Sequence, residues 1–170
     1  MLWSRTSADV RPARVSDAEG LVLVHREAWL SAYRGLIPHD QLEQLVTRRT
    51  PSWWRSAIRS KDRVTVLESD GEIVGYATCG RARGRSATFE GEIYELYLRP
   101  DHQGLGYGEY LFEACRALLD ERGYRGLLVW VLSDNDRALS FYWARGGRAV
   151  ARTTERFGNV RLGKIALGWD

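Results

Sequence analysis

Cysteine, histidine and long apolar runs are scarce in this chain, and each scarcity closes off a class of structure. The two cysteines, Cys79 and Cys115, lack Cys-x-x-Cys spacing, so no disulfide framework is implied. Cys115 falls on an apolar helical stripe and reads as a buried free thiol. His25, His39 and His102 are far apart with no ligand spacing, so no metal is expected. The opening MLWSRTSADVRP holds no continuous apolar segment, and the longest later one, Leu127 to Leu132, is six residues. Neither a signal peptide nor a membrane span is expected, and a cytoplasmic location is the default. Charge of one sign is nowhere gathered into a block. The net charge of +3 and pI near 9.0 come mostly from arginines interspersed with acids, which argues against nucleic acid as a partner. Repeats, linkers and low-complexity runs are likewise missing.

What is present is ordinary globular composition, 44% hydrophobic and 28% charged, over 170 residues. That length suits one domain spanning residues 1–170 that buries roughly two-thirds of its unfolded surface.

The chain is organised around FEGEIYELYLRPDHQGLGYGE, Phe89 to Glu109. Ile93, Tyr94, Leu96, Tyr97 and Leu98 are strand formers, and Arg99-Pro100 ends the strand. Gly104, Gly106 and Gly108 then precede an apolar stripe of helical period, Tyr107, Leu111, Ala114, Cys115, Leu118 and Leu119, which stops at Gly123. A glycine inside or entering a helix costs about 0.8–1 kcal/mol relative to alanine. Three of them imply close approach of a ligand to the backbone. A strand, a glycine turn and a helix N-terminus together aim unpaired amides and the helix dipole at one point, which favours phosphate. The lysine and hydroxyl of a P-loop are missing, and Glu109 stands where a dinucleotide fingerprint needs its third glycine.

The rest of the chain reads in order. Val10 to Val15 is a short strand, and Ser16-Asp17-Ala18-Glu19 a capping box opening a helix whose buried face is Leu21, Val24, His25 and Ala28. That helix ends at Arg34-Gly35-Leu36-Ile37-Pro38. His39 to Ser60 holds a second helical stretch with Leu42, Leu45 and Val46, broken at Pro51, then a short helix with Trp53, Trp54 and Ile58. Arg63 to Ser69 and Glu72 to Gly80 form a hairpin about Asp70-Gly71. Arg81 to Ser86 is a basic loop, either solvated or meeting an anionic ligand through Arg81, Arg83 and Arg85. Leu127 to Leu132 is a buried strand, Ala138, Phe141, Tyr142 and Arg145 recur at helical spacing before Gly146-Gly147, and Arg148 to Phe157 with Val160 to Gly168 make a last hairpin about Gly158-Asn159.

Two motifs carry a family resemblance. Gln103-x-x-Gly106-x-Gly108 after a strand resembles the pyrophosphate-binding turn of the GNAT acetyltransferase superfamily, and Asn135-x-x-Ala138-x-x-Phe141-Tyr142 resembles its second motif. The element order is also similar over nearly all of the chain. The resemblance implies a mixed α/β fold, a central mixed sheet of six to seven strands flanked by helices. It also implies an N-acetyltransferase that moves the acetyl group of acetyl-CoA, without a metal, to a primary amine by direct attack in a ternary complex.

By position the resemblance assigns the pantetheine and thioester to the backbone of Leu96, Tyr97 and Leu98. The pyrophosphate falls to Gln103, Gly104, Leu105, Gly106, Tyr107, Gly108 and Glu109. Asn135 bonds the pantetheine, and Tyr142 protonates the departing sulfur. Glu92 is the candidate base, with Glu95 on the opposite strand face as its reserve and a water relay as the alternative to both. Trp29 and Tyr33, with Arg34 and the Phe157 to Val160 turn, are placed to meet the amine, although Trp29 and Tyr33 serve equally as a hydrophobic seal. Leu105 stands where many members carry Lys or Arg, and Gly147 where many carry Phe. A non-catalytic acyl-CoA-binding regulatory module is the rival reading. The acceptor, a small-molecule or peptide amine, stays open, as does a homodimer, which exposed tryptophans would indicate.

Overall fold

In the computed structural model, which describes residues 8–60, 63–84 and 88–170, strand β1 (Ala8–Pro12) pairs antiparallel with the start of a seven-stranded mixed sheet. The strand ends earlier than the expected Val15, and the first helix does not open on Ser16. Instead Val15–Asp17 form one 3-10 turn, and α1 runs Ala18–Tyr33. Asp17 stands at the N-cap position of α1 but makes no side-chain bond into that helix; its carboxylate closes the 3-10 turn instead, accepting from the Arg14 amide at 2.7 Å and from the Arg11 guanidinium at 2.8 and 3.0 Å. The charge-assisted pair with Arg11 holds the turn from which the helix starts.

Helices α2 (His39–Thr47) and α3 (Pro51–Arg59) follow. Pro51 both ends the first and opens the second, where Thr50 accepts from the Trp53 amide at 3.1 Å. Strands β2 (Arg63–Ser69) and β3 (Glu72–Arg81) turn at Asp70-Gly71 as expected. Then come β4 (Gly91–Leu98), α4 (Tyr107–Glu121), β5 (Leu127–Leu132), α5 (Asp136–Trp143), β6 (Arg148–Phe157) and β7 (Val160–Trp169). The strand order is β1-β2-β3-β4-β5-β7-β6, and only the β4–β5 contact is parallel.

Two irregularities in β4 shape the centre of the molecule. Cys79 pairs with Ile93 but Thr78 pairs with Glu95, so Tyr94 is the extra residue of a β-bulge. Beyond Ile93 the strand also leaves β5: the pairs stop at Gly91–Leu127, Glu92–Leu128 and Ile93–Val129, while β5 stays paired with β7 along its whole length. The sheet therefore opens into a V between Glu95–Leu98 and Trp130–Leu132.

One face of the sheet is closed by α4 and α5, where Leu111, Phe112, Cys115 and Tyr142 meet Ile93, Val129 and Leu167. The other is closed by α1 and α3, where Leu21, Val24 and Trp54, each fully buried, meet Val64, Val66 and Tyr76. Each such side chain contributes roughly 1.5–3 kcal/mol. Both cysteines are buried free thiols. Of the tryptophans, Trp53 on α3 and Trp143 on α5 are prominently exposed.

His25 on α1 lies within the second core, against the rings of Trp29, Trp54 and Tyr76, with its Nε2 buried and unpartnered. Burial first, and the Arg49 charge second, push its pKa down to about 3. An unfolded chain binds the proton near pH 6.5 and the native one does not, so this residue's effect is to lower stability as pH falls from about 6.5 toward 3, at roughly 1.4 kcal/mol per unit. Urea unfolding between pH 7.5 and 4.5 is expected to show His25→Leu losing about 2–3 kcal/mol less than the native chain. Parallel pH profiles would refute this.

Candidate active site

Two cavities lie in and beside the V, and Tyr97 lines both. The first, of about 240 Å³, lies on the α4–α5 side and is bounded by Leu96–Leu98, the glycine turn, Asn135 and Tyr142. The second, of about 540 Å³, lies on the α1–α2 side and is bounded by Trp29, Tyr33, Glu92, Glu95, Trp130 and the last hairpin. Past Ile93 the β5-facing edge of β4 has no strand partner, which leaves main-chain groups between the two cavities open to a ligand.

In the glycine turn the reasons for the three glycines differ. Gly104 and Gly106 have φ of 79° and 84°, the left-handed region, and a Cβ on either would project into open space. Gly108 is required by packing instead, since its Cβ would stand 3.0 Å from the Phe141 ring. Thus backbone conformation accounts for two of the glycines and helix packing for the third. Among the described residues the amides from Gly104 to Glu109 have no backbone acceptor, and Gly104, Gly106, Gly108 and Glu109 line the first cavity, an arrangement that suits an anion.

Gln103 and Glu109 line this cavity, whereas Leu105 is 62% exposed, and Tyr107 turns toward Ser69, hydroxyl to hydroxyl at 3.5 Å. Leu105 and Tyr107 are therefore placed to contribute main chain only. Asn135 caps α5, its Oδ1 accepting from the Ala138 amide at 3.3 Å, and its side chain, which lines the cavity, also reaches the Tyr33 hydroxyl. Tyr142 is 5% exposed, and burial foremost, with Cys115 and Tyr33 adding, raises its pKa, so the hydroxyl keeps its proton at neutral pH. The place of Gly147 is also explained: a Cβ there would lie 2.6 Å from Trp169, whose indole fills that space and donates to the Arg145 carbonyl at 2.9 Å.

In the second cavity, Glu92 and Glu95 are not on opposite faces. The Tyr94 bulge resets the alternation, so that Glu92, Glu95 and Tyr97 share one face while Ile93, Leu96 and Leu98 share the other. The two carboxylates differ in how they are held. Glu95 is gripped by Arg49 at 2.7 and 3.1 Å and accepts from the Tyr76 hydroxyl at 3.0 Å. Arg49 is itself stacked, 4.4 Å over Trp53 and 5.5 Å over Trp29. Glu92 is 1% exposed and receives the Arg83 amide at 3.1 Å and its guanidinium at 2.9 Å, but that arginine side chain is 66% exposed.

The basic loop thus delivers Arg83 to Glu92 rather than to solvent, while Arg81 lies at the end of β3, and Arg85 falls outside the described residues. Trp29 and Tyr33 both line the cavity and seal α1 against the sheet: the Trp29 indole donates to Tyr76 at 3.3 Å, and the Tyr33 and Tyr97 hydroxyls share a hydrogen bond. Burial foremost pushes the Tyr33 pKa up to about 12. Sequence reasoning missed Arg49, Trp130, Glu155 and Lys164, which reach the site from four separate elements or loops and share no local motif.

Among the described residues no helix is long and apolar enough to cross a membrane. A family profile described as "Acetyltransferase (GNAT) family" matches residues 24–146. The uncharacterized N-acetyltransferase YuaI of Bacillus subtilis is 31% identical over 161 residues, 94% of this chain and 91% of that protein. Two solved structures share the fold. The PaiA N-acetyltransferase of Thermoplasma acidophilum in complex with coenzyme A superposes with a TM-score of 0.73 at 19% identity, covering 93% of this chain and 98% of its own. The putative acetyltransferase yncA of Salmonella typhimurium with its cofactor acetyl-CoA gives 0.69 at 20%, covering 96% and 94%.

Proposed function

Because the chain belongs to the GNAT acetyltransferase family, we propose that it transfers the acetyl group of acetyl-CoA to a primary amine of a small molecule or peptide, by direct attack in a ternary complex. The observation that carries this reading is the meeting of the two cavities at Tyr97, where β4 parts from β5: an amide cradle opens on one side and two carboxylates on the other. The cradle fits a pyrophosphate, because six consecutive amides lack a backbone acceptor and nothing within 4 Å fills the space beside Gly104 or Gly106. The relatives solved with coenzyme A and acetyl-CoA support the same ligand here.

Acetyl-CoA supplies the activated acyl carbon. The chain's own residues do the rest. Gly104 to Glu109 hold the phosphates, the free edge of Leu96–Leu98 and the Asn135 amide align the pantetheine arm, and the buried Tyr142 hydroxyl donates a proton to the departing sulfur. A lysine-like amine with pKa about 10.4 costs roughly 4.6 kcal/mol to deprotonate at pH 7. Glu92 receives that proton, directly or through water. It suits the task better than Glu95, whose oxygens are held by Arg49 and Tyr76, because the Arg83 guanidinium on Glu92 belongs to a side chain that is 66% exposed and packs on the Tyr94 ring. Glu92→Gln is expected to cut kcat/KM about a hundredfold at pH 7 and to recover as the pH nears the amine's pKa. A pH-independent loss would mean that Glu92 positions rather than deprotonates.

Following free coenzyme A across a panel of amines, with calorimetry of cofactor binding, tests the function. Amine-dependent release is expected. The arginine partners already on both carboxylates favour one second reading, a non-catalytic acyl-CoA-binding regulatory module, which predicts tight binding and no release for any amine.

A further inference from the structure

The charges facing the second cavity do not all cancel locally. Glu95 is paired with Arg49 and Glu92 with Arg83, which leaves Glu155 on β6 and Lys164 on β7. Among the described residues neither has an oppositely charged partner within 4 Å. Lys164 is half-buried, with its Nζ 5.0 Å over the Trp130 ring, although the chain takes nearly all its other cations as exposed-tolerant arginines. Glu155 is exposed on β6 and lines the same cavity as Tyr33 and Tyr97.

The register puts these two charges on one face of the hairpin. Glu155 is opposite Leu162 and Lys164 opposite Thr153, a diagonal pair whose backbones are about 7–8 Å apart. One cation and one anion, neither with an oppositely charged partner within 4 Å among the described residues, thus line a chamber whose aromatic wall is Trp29, Tyr97, Trp130 and Phe157, beside the two arginine–glutamate pairs. A polycationic acceptor would find Glu95 and Glu92 already paired with Arg49 and Arg83, and an uncharged amine would leave Lys164 without a counter-ion.

Building on the acetyltransferase reading, we propose that the acceptor is a small amino-carboxylate, an α-amino acid with a large apolar side chain. Its carboxylate pairs with Lys164, and its ammonium sits between Glu155 and the cavity junction, where it gives a proton to Glu92, directly or through water, before the free amine attacks. The side chain packs on the aromatic walls. Lys164 is in this reading a specificity residue that holds one end of the acceptor and takes no part in the transfer.

The test measures coenzyme A release with L-phenylalanine and L-leucine against L-phenylalaninamide, phenethylamine and spermidine. The amide is more easily deprotonated than the parent zwitterion, so a preference for the amino acid runs against the supply of free amine and reports recognition of the carboxylate. An advantage in kcat/KM of about tenfold to a hundredfold is expected for the amino acids. Lys164→Met should raise their KM by a similar factor with kcat little changed, leave phenethylamine unaffected, and be rescued by Lys164→Arg. Release from phenethylamine or spermidine that matches or exceeds the amino acids would overturn the acceptor class while keeping the transferase. A Lys164→Met loss shared by all acceptors would overturn the residue's role. No release from any amine would remove both readings.

Discussion

Gly106→Val is expected to lower the affinity for coenzyme A by at least about a hundredfold while the fold survives. The effect comes from backbone geometry rather than crowding by the protein: at φ 84° a β-branched residue is strained, and a Cβ there touches nothing within 4 Å. Strain of roughly 1–2 kcal/mol is relieved by turning the local peptides, which points the cradle's amides away from their common focus. The Cβ and its branches also occupy the space that a pyrophosphate needs. Calorimetry against coenzyme A reads the affinity, and thermal unfolding reads the small stability cost, a few degrees for a chain of this size. Unchanged affinity would show that the turn is not the phosphate site.

The second large effect is on turnover. Tyr142→Phe is expected to reduce the single-turnover rate by about 10²–10⁴, the usual worth of a positioned general acid, with cofactor affinity changed only a few-fold. The departing sulfur would otherwise leave as a thiolate, whose parent thiol has pKa about 8.5, inside a buried site that disfavours new charge, so a proton delivered at that moment favours collapse toward products. Burial keeps the Tyr142 hydroxyl protonated well past neutral pH, and its ring contacts with Phe112, Phe141 and Trp169 are all retained by phenylalanine. Stability should therefore change by less than about 1 kcal/mol, which separates a chemical role from a structural one. Equal single-turnover rates would remove the acid role from Tyr142.

Much of the first cavity was legible before any coordinates, because its parts are neighbours in the chain. The strand, the glycine turn and α4 occupy one continuous stretch, and Asn135 and Tyr142 share a single short helix, where spacing alone puts them on the wall facing that turn. Helix α4 read true because Leu111, Cys115 and Leu119 repeat at the helical period and Gly123 stops them. The start of α1 did not, since Ser16 offered a plausible local cap and the winning partner of Asp17 was Arg11 from the preceding strand.

The second cavity was largely illegible. Arg49, Glu95, Glu155 and Lys164 come from places with no common pattern, and strict alternation put Glu95 on the wrong face. Residue types and local periods by themselves determined that this chain would build a strand, a glycine turn and a helix, since each depends on neighbours within a few residues. Only the tertiary structure decided how each carboxylate is held and which charges line the second cavity. One extra residue at Tyr94 shifts every following side chain of β4 by a face, and that bulge arises from pairing with β3, a strand separated from it in sequence.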